Sequence, residues 1–230
     1  MKKKIALLMA CVMAFGVAVG GTLAWLTDST EGVKNTFTDS DVNITLTESG
    51  TTFDETDKIW EQSFKMVPGH TIAKAPLVTV NTGSEDCYVF VKIEKSSSYD
   101  TYLENYEVDG TVWSILKDNN NANVDGVYYH KVTGLTAANA VDWSKYVLKA
   151  GELHEADCEN QACTGCGENR NGYVTVKSGV TKEQMNALKE TDAVMPTLSF
   201  TAYATQLWKD NDTEFGAYEA WQQTAGYVAP

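Results

Sequence analysis

Histidine is scarce in this chain: only His70, His130 and His154 occur, and no two of them stand one helical turn apart. That spacing excludes the His-Glu-x-x-His pattern of zinc proteases, in which one helix turn aims two imidazoles at a single metal. His154-Glu155-Ala156-Asp157-Cys158 begins like that pattern but ends in cysteine. No serine sits in a Gly-x-Ser-x-Gly turn, so the strained nucleophile of the common hydrolases is missing as well. We therefore expect no enzyme, no catalytic residue and no cofactor. Positive charge is also short, with 18 Lys+Arg against 31 Asp+Glu. Such a balance disfavours nucleic acid and anionic lipid surfaces as partners. After residue 24 no second apolar run appears, and the end of the chain, Ala225 to Pro230, carries neither a sorting motif nor a greasy tail.

What is present begins at the start of the chain. Lys2, Lys3 and Lys4 lead into an apolar run from Ile5 to Val19, followed by Gly20-Gly21-Thr22-Leu23-Ala24. Basic start, apolar core and small residues before a cut make a secretory signal peptide, and a run of about 15 residues falls short of the roughly 20 that span a bilayer. The expected cut lies between Ala24 and Trp25, leaving a mature chain with no membrane segment. A rival, the lipoprotein-like box Leu8-Met9-Ala10-Cys11, would split the apolar core in two. Removing residues 1–24 takes three lysines and no acids, so the mature chain carries a formal charge of −16.

The remaining ~205 residues suffice for one core. Alternation points to strands: Val42, Ile44, Leu46; Val89, Val91, Ile93; and Leu198, Phe200, Ala202, Ala204 each alternate with residues expected on an open face. Shorter strands are expected at Leu77 to Val80, Val127 to Val132 and Tyr173 to Lys177. Turn dipeptides Asp109-Gly110, Asp125-Gly126 and Asn171-Gly172 lie near them. Helical signals are few: Thr181 with Gln184 makes a capping box opening Lys182 to Lys189, and Thr213 is expected to cap a helix carrying Phe215, Tyr218 and Trp221. These features predict an all-β, two-sheet sandwich of jelly-roll type with long loops and a few short peripheral helices. The expected divisions are a leader over 1–24, an N-terminal segment over 25–38, a sandwich domain over 39–208 and a C-terminal tail with a short helix over 209–230.

Three stretches carry a resemblance. Gly20-Gly21-Thr22-Leu23-Ala24-Trp25-Leu26-Thr27-Asp28 with Asn35-Thr36-Phe37-Thr38 and the strand Asp41 to Glu48 comes first. Val67-Pro68-Gly69-His70 leading to Val78 through Ser84 is the second, and Phe200-Thr201-Ala202-Tyr203-Ala204-Thr205-Gln206 the third. Together they resemble the TasA/camelysin family, whose members are cut by the dedicated signal peptidase SipW; residues 95–190 match poorly. The resemblance implies a jelly-roll domain secreted to the cell surface or extracellular matrix, where relatives polymerise into biofilm fibres, alone or with other matrix proteins. In that picture the segment Trp25 to Thr38 leaves its own subunit and adds a strand to the next. Trp25, Leu26, Val33 and Phe37 are its apolar residues, interrupted by Asp28 to Gly32. An edge strand folded on its own domain remains the alternative.

Four cysteines stay in the mature chain: Cys87 in a strand, and Cys158, Cys163 and Cys166 in the loop 156–172. In an exported chain, disulfides are the expected state. Cys163-Thr164-Gly165-Cys166 also has zinc-knuckle spacing, with Cys158 or His154 as further ligands, but a single such pair is half of a zinc ribbon, so no metal site is assigned. Asp118 to Asn123 resembles the front of a calcium loop, yet Ala122 replaces a ligand and Tyr129 stands where the closing glutamate belongs. Trp113, Tyr128, Tyr129, Trp143 and Trp208 either line a carbohydrate face or fill the core. Two readings of function follow: a matrix protein self-assembling through its N-terminal strand, or a monomeric surface module binding a glycan or a host protein.

Overall fold

A computed structural model describes residues 27–31, 34–36, 42–56, 59–135, 142–149, 172–210 and 212–229. Fourteen strands are described: β1 (Thr27–Glu31), β2 (Lys34–Thr36), β3 (Ile44–Thr47), β4 (Thr52–Asp54), β5 (Ile59–Glu61), β6 (Thr71–Lys74), β7 (Leu77–Val80), β8 (Cys87–Lys95), β9 (Leu103–Glu104), β10 (Ser114–Lys117), β11 (Asn123–Val132), β12 (Trp143–Tyr146), β13 (Gly172–Val176) and β14 (Leu198–Gln206). Every pairing is antiparallel. A six-stranded sheet in the order β10-β11-β8-β14-β1-β2 faces a three-stranded sheet, β12-β7-β3. The chain is thus an all-β sandwich. Two smaller sheets, β6-β13-β9 and β4-β5, flank it.

Strand periodicity explains the main core. Val42, Ile44 and Leu46 meet Val78 and Val80 from one sheet and Cys87, Val89, Val91, Phe200, Ala202 and Ala204 from the other. The side chains alternate because successive residues of a strand point to opposite faces. On β8 the expectation of one open face is corrected. Tyr88 and Phe90, on the opposite side from Val89 and Val91, are buried in a second cluster with Leu116, Val127, Leu207, Phe215 and Trp221. The cover is the segment after β14. Residues 212–229, within the stretch expected as a tail with a short helix, fold back over the outer face of the large sheet.

Local chemistry shows how that fold-back is built. Asp210 accepts hydrogen bonds from the amides of Asp212 and Thr213, at 3.0 and 2.8 Å, and so shapes a tight turn. Thr213 is therefore a turn residue, and not the helix cap that its side chain suggested. The helix spans Ala217–Trp221 with Gly216 at its N-cap. By contrast, the Thr181 capping box forms as expected, with the Gln184 amide donating to Thr181 Oγ1 at 3.2 Å and the Thr181 amide to Gln184 Oε1 at 2.9 Å. That helix runs Lys182–Ala187, and Met185 and Leu188 lean on a third cluster of Tyr99, Tyr102, Leu103, Val174, Val176 and Val180.

Asp125-Gly126 is the other correction. It lies inside β11 and makes no chain reversal. Gly126 takes φ +66°, and a Cβ built there would stand 2.3 Å from the carbonyl oxygen of Ile93. Glycine is needed because the two backbones approach too closely for a side chain.

Candidate assembly edge

The N-terminal segment occupies a sheet edge. β1 pairs with β14 in the register Thr27↔Thr205, Asp28↔Ala204 and Ser29↔Tyr203, then turns into β2 through Ser29↔Thr36, Thr30↔Asn35 and Glu31↔Lys34. Both strands also approach β3, so the hairpin closes one open side of the sandwich. Its partner is well buried: Ala202 and Ala204 are fully inside, Thr205 donates to the Ala220 carbonyl at 3.3 Å, and Tyr203 packs edge-on to Trp221 at 5.4 Å.

β1 reads Thr-Asp-Ser-Thr-Glu and β2 Lys-Asn-Thr, without an apolar residue. A strand of that composition gains its place chiefly through its backbone ladder, because it brings no greasy side chain to bury. The apolar residues expected to anchor the segment, Trp25, Leu26, Val33 and Phe37, lie outside the described residues, as do Ala24 and the leader. The segment is thus seen in the self-docked arrangement, as an edge hairpin of its own domain.

The cysteine loop 156–172 lies outside the described residues up to Gly172, with Cys158, Cys163, Cys166 and His154. Cys87 is described: it carries a free thiol, fully buried where β8 begins. Burial first, and the neighbouring Asp86 charge second, push its pKa up to about 12. Only about one part in ten thousand is then thiolate at pH 8. We expect a brief iodoacetamide pulse on the native protein to leave Cys87 unmodified, and full labelling once urea unfolds it. The unfolded thiol ionises near 9 and the folded one near 12, so above pH 9 the unfolded state holds fewer protons and this group lowers stability as pH rises.

Local contacts hold several of the other candidates, whereas Trp208 is exposed. His130 on β11 stacks on Trp143 at 4.9 Å, and its Nδ1 lies 2.7 Å from the Val112 carbonyl, which makes that nitrogen the N–H donor. Trp113 is buried, its Nε1 donating to the Tyr146 carbonyl at 2.8 Å. His70 is exposed after the Pro68-Gly69 turn, its amide bonded to Val67 O at 2.9 Å. In the calcium-like loop, Asp118 Oδ1 accepts the amides of Asn120 and Ala122, both at 2.8 Å, and so shapes the β10–β11 turn. Among the described residues no group of three His, Cys, Asp or Glu side chains converges on a cation site. Nor, among them, is any helix long and apolar enough to cross a membrane.

Sequence reasoning missed two surface clefts. One, of about 430 Å³, is bordered by Glu48, which takes Lys74 Nζ at 2.7 Å and the Ala75 amide at 2.8 Å. The other, of about 600 Å³, lies beside the helical turn Tyr99–Tyr102. Apart from Tyr128 at the second, neither had a sequence signal, because each gathers residues from distant parts of the chain. No family model, no curated protein and no solved structure matches this chain.

Proposed function

We propose that the chain is an exported structural protein of a cell surface or biofilm matrix, cleaved after Ala24 by a dedicated signal peptidase, whose segment Trp25 to Thr38 joins subunits by adding a strand to a neighbour's sheet. The resemblance of the leader and first strand to the TasA/camelysin family supports this reading. The observation that carries it is the placement of β1. The N-terminal hairpin sits at an edge, on a ladder that a second copy offers in identical form. Exchanging one's own β1 for a neighbour's keeps the same pairings, so the exchange is close to neutral per joint. Leu26 and Phe37, buried in the neighbour, would each hold the joint by roughly 1.5 to 3 kcal/mol relative to leaving them exposed.

Electron microscopy of the mature chain, residues 25–230, tests the reading. Fibres are expected from the intact protein, and none from Leu26→Asp with Phe37→Asp, which should remain a soluble β-rich monomer by circular dichroism. This charged pair is a cleaner variant than deletion of 25–38, which bares the edge of β14 and invites indiscriminate pairing. An intact protein that stays monomeric across concentration, and at acidic pH where the −16 charge is partly titrated, would sink the proposal.

A further inference from the structure

We propose that the groove along the outer edge of β6 takes up an extended, acidic peptide segment of another protein as an added strand. β6 is an end strand of the β6-β13-β9 sheet, and its register with β13 fixes which of its backbone groups are spent. The Val176 amide donates to the His70 carbonyl at 2.8 Å, so His70, Ile72 and Lys74 turn their backbone groups toward β13. Thr71, Ala73 and Ala75 therefore turn theirs away from the sheet.

Two observations show what that outer edge is shaped for. At Ala75 the place of a neighbouring strand is already taken by a side chain. Glu48, 12% exposed, accepts the Ala75 amide at 2.8 Å through one carboxylate oxygen and Lys74 Nζ at 2.7 Å through the other. At Thr71 and Ala73, both exposed, no partner among the described residues meets the outward amide or carbonyl. An open row of such groups is a template for another chain, and folded proteins shield most of them. Here the edge forms one side of a groove of about 430 Å³, with Gln62, Phe64 and Lys65 on its walls. Those walls leave room for one extended segment and obstruct the broad sheet of a second folded domain, which is the geometry of strand addition.

Charge then selects the segment. Lys74 is spent, paired with Glu48 and lying over the Phe64 ring at 5.1 Å. Lys65, exposed on the groove wall, has no ion-pair partner among the described residues. A carboxylate in the added strand supplies one. At physiological salt the chain's overall negative charge is screened beyond about 8 Å, so the nearby lysine decides. Ile72 and the exposed part of Phe64 give the segment's alternate, apolar side chains a surface to cover. The inference stands whether or not the chain polymerises.

Fluorescence anisotropy of labelled Val-Glu-Val-Glu-Val-Glu and Val-Lys-Val-Lys-Val-Lys peptides with the mature protein, and hydrogen exchange resolved to single amides, test it. The glutamate peptide should bind about tenfold or more tightly than the lysine peptide, and should slow exchange at Thr71 and Ala73 by a similar factor. N-methylating all its valines, or all its glutamates, should abolish binding in one case and spare it in the other, because alternate residues of a strand face its partner. Lys65→Glu should weaken binding about tenfold or more with an unchanged melting temperature, and Ala73→Pro, which removes an outward amide, should abolish it. No binding of the glutamate peptide, equal binding of the two peptides, indifference to N-methylation, or protection at β14 in place of β6 would each overturn the proposal. So would self-association of the mature protein that Ala73→Pro abolishes, which would make a second copy the occupant.

Discussion

Trp221→Ala is expected to lower unfolding stability by about 3–5 kcal/mol, the range for emptying a buried aromatic site. Trp221 is 3% exposed and stands between Phe90 at 5.3 Å and Tyr203 at 5.4 Å, so one side chain fixes the C-terminal helix to two central strands. The space around it is already full. At Gly226, an added Cβ would meet Trp221 at 2.5 Å and Tyr203 at 2.7 Å, so no neighbour can collapse readily into the hole. The main-chain carbonyl of Trp221, which accepts the Thr224 amide and hydroxyl at 3.0 and 2.8 Å, survives the substitution, so the loss is one of side-chain packing. Urea unfolding followed by near-ultraviolet dichroism measures the loss. A drop under about 1 kcal/mol, the ordinary scale of surface changes, would mean that the segment after β14 is an ornament on a self-sufficient sandwich.

Gly126→Ala should be nearly as severe, on the order of 2–5 kcal/mol. Its φ of +66° already disfavours any side chain, and the new methyl would stand 2.3 Å from a backbone oxygen of Ile93, which cannot swing aside as a flexible side chain can. Relief requires β11 to part from β8, the most heavily paired strand of the sheet. Gly83→Ala is the internal control. Gly83 has φ +92°, and a methyl added there would have nothing within 4 Å, so it carries the conformational penalty alone, about 1–2 kcal/mol. Equal melting temperatures for the two variants would show that the close approach at Ile93 relaxes freely.

The strands of the core were legible because a half-buried strand writes its period into the sequence. Val42-Ile44-Leu46 and Phe200-Ala202-Ala204 occupy the faces that alternation assigns them. The same rule failed on β8, where Tyr88 and Phe90 read as an outward face. An aromatic residue is compatible with either environment, and the cover supplied by Leu207, Phe215 and Trp221 beside Leu116 and Val127 decides it. Thr181 and Gln184 announced a helix start because both partners of that cap lie within four residues. Thr213 misled because a hydroxyl serves a turn as readily as a cap, and Asp210 took the local amides first. The place of the β1–β2 hairpin at the end of its own sheet was one of two readings held open, since a polar strand carries no mark of which ladder it will join. The cleft beside the helical turn Tyr99–Tyr102 left little linear trace beyond Tyr128, because Lys95, Asn105 and Lys177 come from separate parts of the chain.

Asp28 pairs with Ala204, so the first strand has no lane until the last one exists. A ribosome adding about 5–20 residues per second needs on the order of ten seconds or more to travel between those two positions. Throughout that interval β1 lacks its partner, whereas β8 and β11 can pair as soon as both have emerged. Closure of so long a loop is also the slowest kind of contact to form. The seam between β1 and β14 therefore ties the first described strand to the last, and the earliest time at which it can close is set by the far end of the chain.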